Sequence, residues 1–365
     1  MTNSKHFSFL SLYFICQFTS MAQTNIDSTE IDTPKVISYA LDGNIPKVLE
    51  LINIQPEDHL IRRYLNLKDG LNARFNYEID RSNYLALRES PVDSLLIIFR
   101  NYWRKSFLDY PKVYDTLLRN NLVNFLRKNY PAAKKLSTVA IDKQLDKYLS
   151  SYIHSKGLYS AGFGKTGKFY DLLVWRHQTD TIYKFTLHGQ KIRTPIVFME
   201  DFVSLGWEEY ATLDRAYPGG WAYPDKLYCV KKSYDITSET FLISYLAHEG
   251  RHFEDYKLFP KLTAIDLEYR AKLTELTLLD KTIFDIISFF ITNADANTDD
   301  SHKRADYYAI QNLSKLLFNV EFEADIDKWK VLQIQTIHDA SAALLVENTK
   351  ELKKRGRKVT SYFLK

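Results

Sequence analysis

The hydrophobic pattern of this chain changes period twice, and that segregation limits its fold more than any other feature. From residue 34 to about 157, apolar residues recur at three- and four-residue steps. Leu95, Leu96, Phe99, Tyr102, Trp103 and Phe107 follow Ser90-Pro91, and Tyr114, Leu117, Leu118, Leu122 and Phe125 follow Pro111. The texture then becomes β-branched and aromatic. Residues 169–176 and 181–187 read as strands joined by a turn at Gln178-Thr179-Asp180, and residues 192–199 and 226–230 read as two more. Beyond Thr237 the helical period returns almost to the end. Helices and strands kept apart in this way predict an α+β fold, mostly helical, with a small sheet between an all-helical N-terminal region and a C-terminal run of helices.

Composition fits one large or two ordinary domains: 365 residues, 45% hydrophobic, with only 12 Gly and 10 Pro, must bury a sizeable and largely helical core. The 49 basic and 45 acidic residues leave a formal charge of +4, too balanced for the footprint of a nucleic-acid or membrane-surface binder. At the N-terminus a lysine precedes the apolar residues 7–18, and Ala22 closes a small-residue site before Gln23. That pattern predicts a signal peptide over 1–22, export to the periplasm or beyond, and a polar linker over 23–33. Cys229 would then be the only cysteine left, a small buried hydrophobe in a strand with no disulfide partner. No later segment reaches the roughly 18 uninterrupted apolar residues of a membrane span, so no integral membrane segment is expected. The helical region is set at 34–157, a second domain at 158–350 and a basic tail at 351–365, in which Lys353-Lys-Arg-Gly-Arg-Lys358 reads as a solvated helix end. Gly162-Phe-Gly-Lys-Thr166 looks like a phosphate loop but has Tyr159 where the first glycine belongs, so it reads as a connecting loop.

Chemistry concentrates in Ser244-Tyr-Leu-Ala-His248-Glu249-Gly250-Arg251-His252-Phe253, on a helix that Thr237 or Ser238 would cap. At helical pitch His248 and His252 lie about 40° apart around the axis and about 6 Å along it, so both imidazoles can meet one ion. Two neutral imidazoles suit Zn2+. Glu249 follows at about 100°, beside the ion rather than on it, where a carboxylate could act as general base toward water. The plainer reading is a helix with two structural histidines and a surface glutamate.

These residues resemble the zincin metallopeptidases, specifically the gluzincins, over about residues 190–340. The resemblance implies a third metal ligand, a Glu on a following helix, and a peptide or protein substrate. Glu268, in Glu268-Tyr-Arg-Ala271, and Glu321, in Glu321-Phe-Glu-Ala324-Asp325, both carry the Glu-x-x-Ala pattern. Glu268 is favoured, because the short Phe259-Pro260 connection would return its helix directly over the first. Glu268 and Glu275 fall on one helix with an apolar stripe of Ala264, Ile265, Leu279, Ile283 and Ile286, and Glu275 would accept from a ligand histidine. The resemblance further implies an oxyanion-stabilising residue from a later helix, for which His338 is best placed, and a cleft edge near Gly219-Gly-Trp-Ala-Tyr223; the plainer reading of His338 is a buried, hydrogen-bonded histidine. Arg251 departs from the family, which usually has an uncharged residue there. From another class, the alternative is a helical binding or scaffold protein that keeps a zincin-like domain without catalysis.

Overall fold

A computed structural model describes residues 31–54, 60–82, 91–187, 190–223 and 225–363. The expected signal peptide, most of the linker, Ser90 and residues 188–189 lie outside the described residues. The fold is α+β. Among the described residues α-helices come first: α1 (Thr33–Leu41), α2 (Ile45–Asn53), α3 (Arg62–Phe75), α4 (Asp93–Leu108), α5 (Asp115–Asn129), α6 (Thr138–Lys143) and α7 (Leu145–His154). The strands are β1 (Tyr159–Ser160), β2 (Lys165–Thr166), β3 (Phe169–Tyr170), β4 (Leu173–Leu187), β5 (Gln190–Leu205), β6 (Gly220–Ala222) and β7 (Leu227–Val230), with helix α8 (Trp207–Thr212) after β5. A π-helix (Thr240–Ala247) then runs into α9 (His248–Leu258), followed by α10 (Ala264–Leu278), α11 (Ile283–Asn293), α12 (Ser301–Phe318), α13 (Ile326–Lys330) and α14 (Ile334–Arg355). Five strands form one sheet in the order β1-β4-β5-β7-β6, and β2 pairs with β3.

The chain divides into two compact units, one of the described residues up to Thr179 with Met199–Trp221, the other of Asp180–Phe198 with Ala222–Lys365. The described residues of the helical region expected over 34–157 lie in the first unit, which also takes 158–179 and 199–221. Its core is aromatic. Phe99, Trp103 and Phe107 on α4 are all but fully buried, and the Phe107 ring meets Phe169 edge-on at 5.0 Å between centroids. Gly162-Phe-Gly-Lys-Thr166 is a loop entering the small β2–β3 hairpin, with Gly162 at φ 90°.

In the second unit α10 packs against α9, α12 and α14, and every residue from Asp266 to Leu276 is buried. A helix buried all round has no polar face, so each of its charges needs a partner from another element. Asp266 accepts from Ser361 Oγ at 2.8 Å and Tyr362 N at 2.7 Å. Arg270 makes a two-pronged contact with Asp255, 2.7 and 2.9 Å, and Lys272 Nζ lies 2.7 Å from Asp306 Oδ1.

Three expectations are corrected here. Gln178-Thr-Asp180 is no turn: it lies inside the fifteen-residue strand β4, because it supplies no glycine or asparagine for the left-handed backbone of a tight hairpin. The single helix expected through Ala264, Leu279 and Ile286 breaks between α10 and α11, where Leu279 is extended and Glu239 accepts the backbone N–H groups of Asp280, Lys281 and Thr282. Glu321-Phe-Glu-Ala-Asp is not helical either. Asn319, at φ 56°, ends α12, and Asp325 caps the start of α13. The basic run over residues 353–358 is the solvated helix end expected, exposed but for half-buried Gly356, where α14 stops at Arg355; beyond it Phe363 stacks on Tyr308 at 4.1 Å. No described helix is long and apolar enough to cross a membrane.

Candidate metal centre

The site is built on the junction between the π-helix and α9. Ser238 Oγ accepts from Phe241 N at 3.1 Å at the start of the helical run, as capping chemistry suggests. The wider π turns leave carbonyls out of register, and one, Leu246 O, is taken up by the Thr194 hydroxyl of β5 at 3.0 Å. One turn on, Gly250 lets the helix lie against that strand, since a Cβ there would come within 2.3 Å of Thr194 Oγ1. The π-to-α change therefore falls where His248 and Glu249 leave the helix, held by β5.

His248, Glu249 and His252 are 6%, 3% and 5% exposed, and each offers one donor atom to a cluster no wider than 4.8 Å. His248 Nε2 and His252 Nε2 face each other at 3.1 Å. Two nitrogen lone pairs sit that close only with a proton or a cation between them. Glu268, from α10, closes the third side: its Oε2 is 3.2 Å from His248 Nε2 and its Oε1 3.4 Å from His252 Nε2. Donors bound tetrahedrally at the usual zinc distances are about 3.3 Å apart, so the three contacts fit the edges of such a site. Glu275, two turns along α10, accepts from His248 Nδ1–H at 2.7 Å and so turns Nε2 toward the cluster.

The charges agree with this geometry. Burial works against a proton on His248, but the Glu268 and Glu275 carboxylates more than offset it, and the imidazole is pushed up to about 10. Burial would raise Glu268, yet His252, His248 and His302 together hold it well below the ordinary carboxylate range. Glu249 is pushed up by burial, with His252 and His248 opposing. Buried positive charge is thus called for between these carboxylates, and without a metal ion a proton on His248 supplies it. His252 Nδ1 and Glu268 Oε2 are buried with no hydrogen-bond partner among the described residues, a further mark of donors arranged around something other than each other. Two imidazoles and a carboxylate fit a divalent ion with nitrogen and oxygen affinity.

Of the residues singled out from sequence, the structure brings His248, Glu249, His252, Glu268 and Glu275 together. Glu321 is not with them; its exposed carboxylate meets Gln311 Nε2 at 2.6 Å and Lys315 Nζ at 3.0 Å. Neither is His338, whose Nε2–H donates to Leu279 O at 2.7 Å, so the oxyanion role expected of it has no support here. Lys272, four residues after Glu268 on α10, is turned away from it to Asp306. Arg251 is buried against Asp255, Nη2 to Oδ1 2.9 Å, and the same carboxylate receives Arg270. The unusual arginine thus supports Asp255, which joins α9 to α10 through Arg270.

Two residues at the site escaped the sequence. His302, in the first turn of α12, places Nδ1 3.1 Å from Glu268 Oε2. Tyr256, one turn beyond His252 and 43% exposed, is raised by burial and by the Glu249 and Glu268 charges. His302 stands fifty residues from His252 with no motif around it, and only the packing of α12 on α10 brings it in. No protein-family model matches this chain, and no curated protein or solved structure matches it either.

Proposed function

We propose that this protein is a zinc-dependent hydrolase, and that its substrates are peptides. The observation that carries the reading is the convergence of His248 Nε2, His252 Nε2 and both Glu268 oxygens within 3.1 to 3.4 Å of one another across two helices. His248, His252 and Glu268 would hold the ion, which when bound supplies a Lewis acid to polarise a carbonyl. Glu249 does the proton work. Its carboxylate is buried beside the histidines and raised above its ordinary range by burial, which suits a group that takes a proton from attacking water and returns it to the leaving nitrogen. Glu275 keeps His248 in the tautomer that presents Nε2. The step from hydrolase to peptidase rests on the resemblance of the His-Glu-x-x-His helix and the following-helix glutamate to the gluzincins.

One observation favours the alternative of a metal-holding protein without catalysis: all four residues are 6% exposed or less. Glu249→Gln separates the two. A general base contributes about 10²–10⁴ to the rate and nothing to metal affinity. The variant is therefore expected to keep its zinc and its fold while peptide-library cleavage falls by about that factor. Zinc-loaded wild type that cleaves nothing, or that cleaves no faster than Glu249→Gln, leaves the non-catalytic reading standing.

A further inference from the structure

Glu268 is a buried carboxylate whose two oxygens have unequal surroundings. Oε1 meets His252 Nε2 at 3.4 Å, whereas Oε2 lies between His248 Nε2 at 3.2 Å and His302 Nδ1 at 3.1 Å. Neither neighbour of Oε2 is aligned with it as a hydrogen bond. His302 differs from the α9 histidines in being half open to solvent, its side chain 45% exposed, and in belonging to the first turn of α12, where its backbone N–H donates to Asp300 Oδ1 at 2.9 Å. One turn further, Asp306 takes Lys272, itself one turn after Glu268, in a buried ion pair of 2.7 Å. The matching four-residue steps make two rungs between α10 and α12, and the Lys272–Asp306 rung fixes the register at which His302 meets Glu268.

We infer that His302 decides how Glu268 binds a metal ion, an inference that rests on the metal site proposed above. A carboxylate left to itself can close over a cation with both oxygens. An ion held by His248 Nε2 and His252 Nε2 takes up those lone pairs, and His302 Nδ1–H becomes the donor remaining beside Oε2. Held by that bond, Oε2 stays off the ion and Glu268 binds through Oε1. One coordination position is thereby kept for water or substrate. His302 touches neither the ion nor the reacting atoms; it is a positioning residue.

The test uses the full chain, stripped with a chelator and titrated with Zn2+ and with Co2+, whose visible absorption weakens as coordination number rises. Outer hydrogen bonds of this kind are worth about 10–100-fold in metal affinity. His302→Ala is expected to bind both ions weaker by about that factor and to show a weaker Co2+ band, as the freed Oε2 moves onto the metal. His302→Asn places an amide N–H where Nδ1 stood and is expected to restore both. His302→Gln places its amide one bond too far out and is expected to keep the defect, which preserves the comparison should the alanine variant not fold. A wild-type protein that binds neither ion overturns the metal reading and this inference together. Wild type that binds both, with affinity and spectrum unchanged in the alanine and glutamine variants, overturns the role of His302 alone. Loss of metal in all three variants makes His302 a ligand and overturns it as well.

Discussion

Gly250 shows how a single residue can matter more for what it lacks than for what it does. Alanine is about 1 kcal/mol better than glycine inside a helix, so local propensity favours Gly250→Ala. Its Cβ, however, would meet Thr194 Oγ1 at 2.3 Å and Ile192 Cγ2 at 2.8 Å. Crowding of that kind costs about 1–3 kcal/mol, and displacing the Thr194 hydroxyl from Leu246 O costs about 1 kcal/mol more. Gly250→Ala is expected to be less stable by about 1–3 kcal/mol in denaturant unfolding, and a stabilised variant would contradict the close approach of α9 to β5. His248 carries a second expectation. In the metal-free protein its imidazole is held up to about 10, against an ordinary 6.5. The folded state therefore binds the extra proton, which stabilises fully below about pH 6.5 and is lost as pH rises through about 10. Chelated protein should accordingly be less stable at about pH 9 than at about pH 7, with the difference reduced in His248→Gln. Zinc, which displaces that proton, should bind more tightly over the same rise.

Helix α10 concentrates the structural cost of the site. Buried from Asp266 to Leu276, it presents five charged side chains that solvent does not reach, and each is met from outside the helix. Asp266 depends on the last described residues, through Ser361 Oγ and Tyr362 N, while Phe363 covers Tyr269 and Tyr308. Deleting residues 359–365 would leave the carboxylate buried with little but Thr263. Each lost bond to a charged group is worth about 1.5–3 kcal/mol, so the truncated chain is expected to lose several kcal/mol. Zinc affinity should fall with it, because Glu268 is two residues from Asp266 on the same helix. Equal stability and equal zinc affinity in the full and truncated chains would show that the terminal segment does not hold α10.

At the scale of the whole chain, every candidate donor (His248, Glu249, His252, Glu268 and His302) belongs to the unit of Asp180–Phe198 and Ala222–Lys365. A ligand that binds only the folded state stabilises it by about 2.7 kcal/mol at a hundredfold excess over its Kd. Adding zinc to chelated protein should therefore slow backbone hydrogen exchange in α9 and α10, and leave α4 and α5 of the other unit as they were. Protection that appears in α4 and α5 to the same extent would place metal binding elsewhere.

Local rules were enough for what lies within one helix or one stretch of texture. The segregated periods foretold the α+β class. The four-residue spacing alone put His248 and His252 on one face, since helical pitch fixes that angle without reference to anything outside the helix. The short return at Phe259-Pro260 carried enough of the path to favour Glu268 over Glu321. The remainder depended on partners distant in sequence. Thr194 met the π-helix, Asp255 and Arg270 gave Arg251 a structural place, α12 delivered His302, and Leu279 O drew His338 away. The turn expected at Gln178-Thr-Asp180 became the middle of a strand, because pairing to neighbouring strands outweighs a weak local turn signal. Spacing along the chain fixes angles around one helix axis. Which buried charge meets which partner is set by how helices and strands pack, and a single sequence records that only as isolated polar residues on apolar elements.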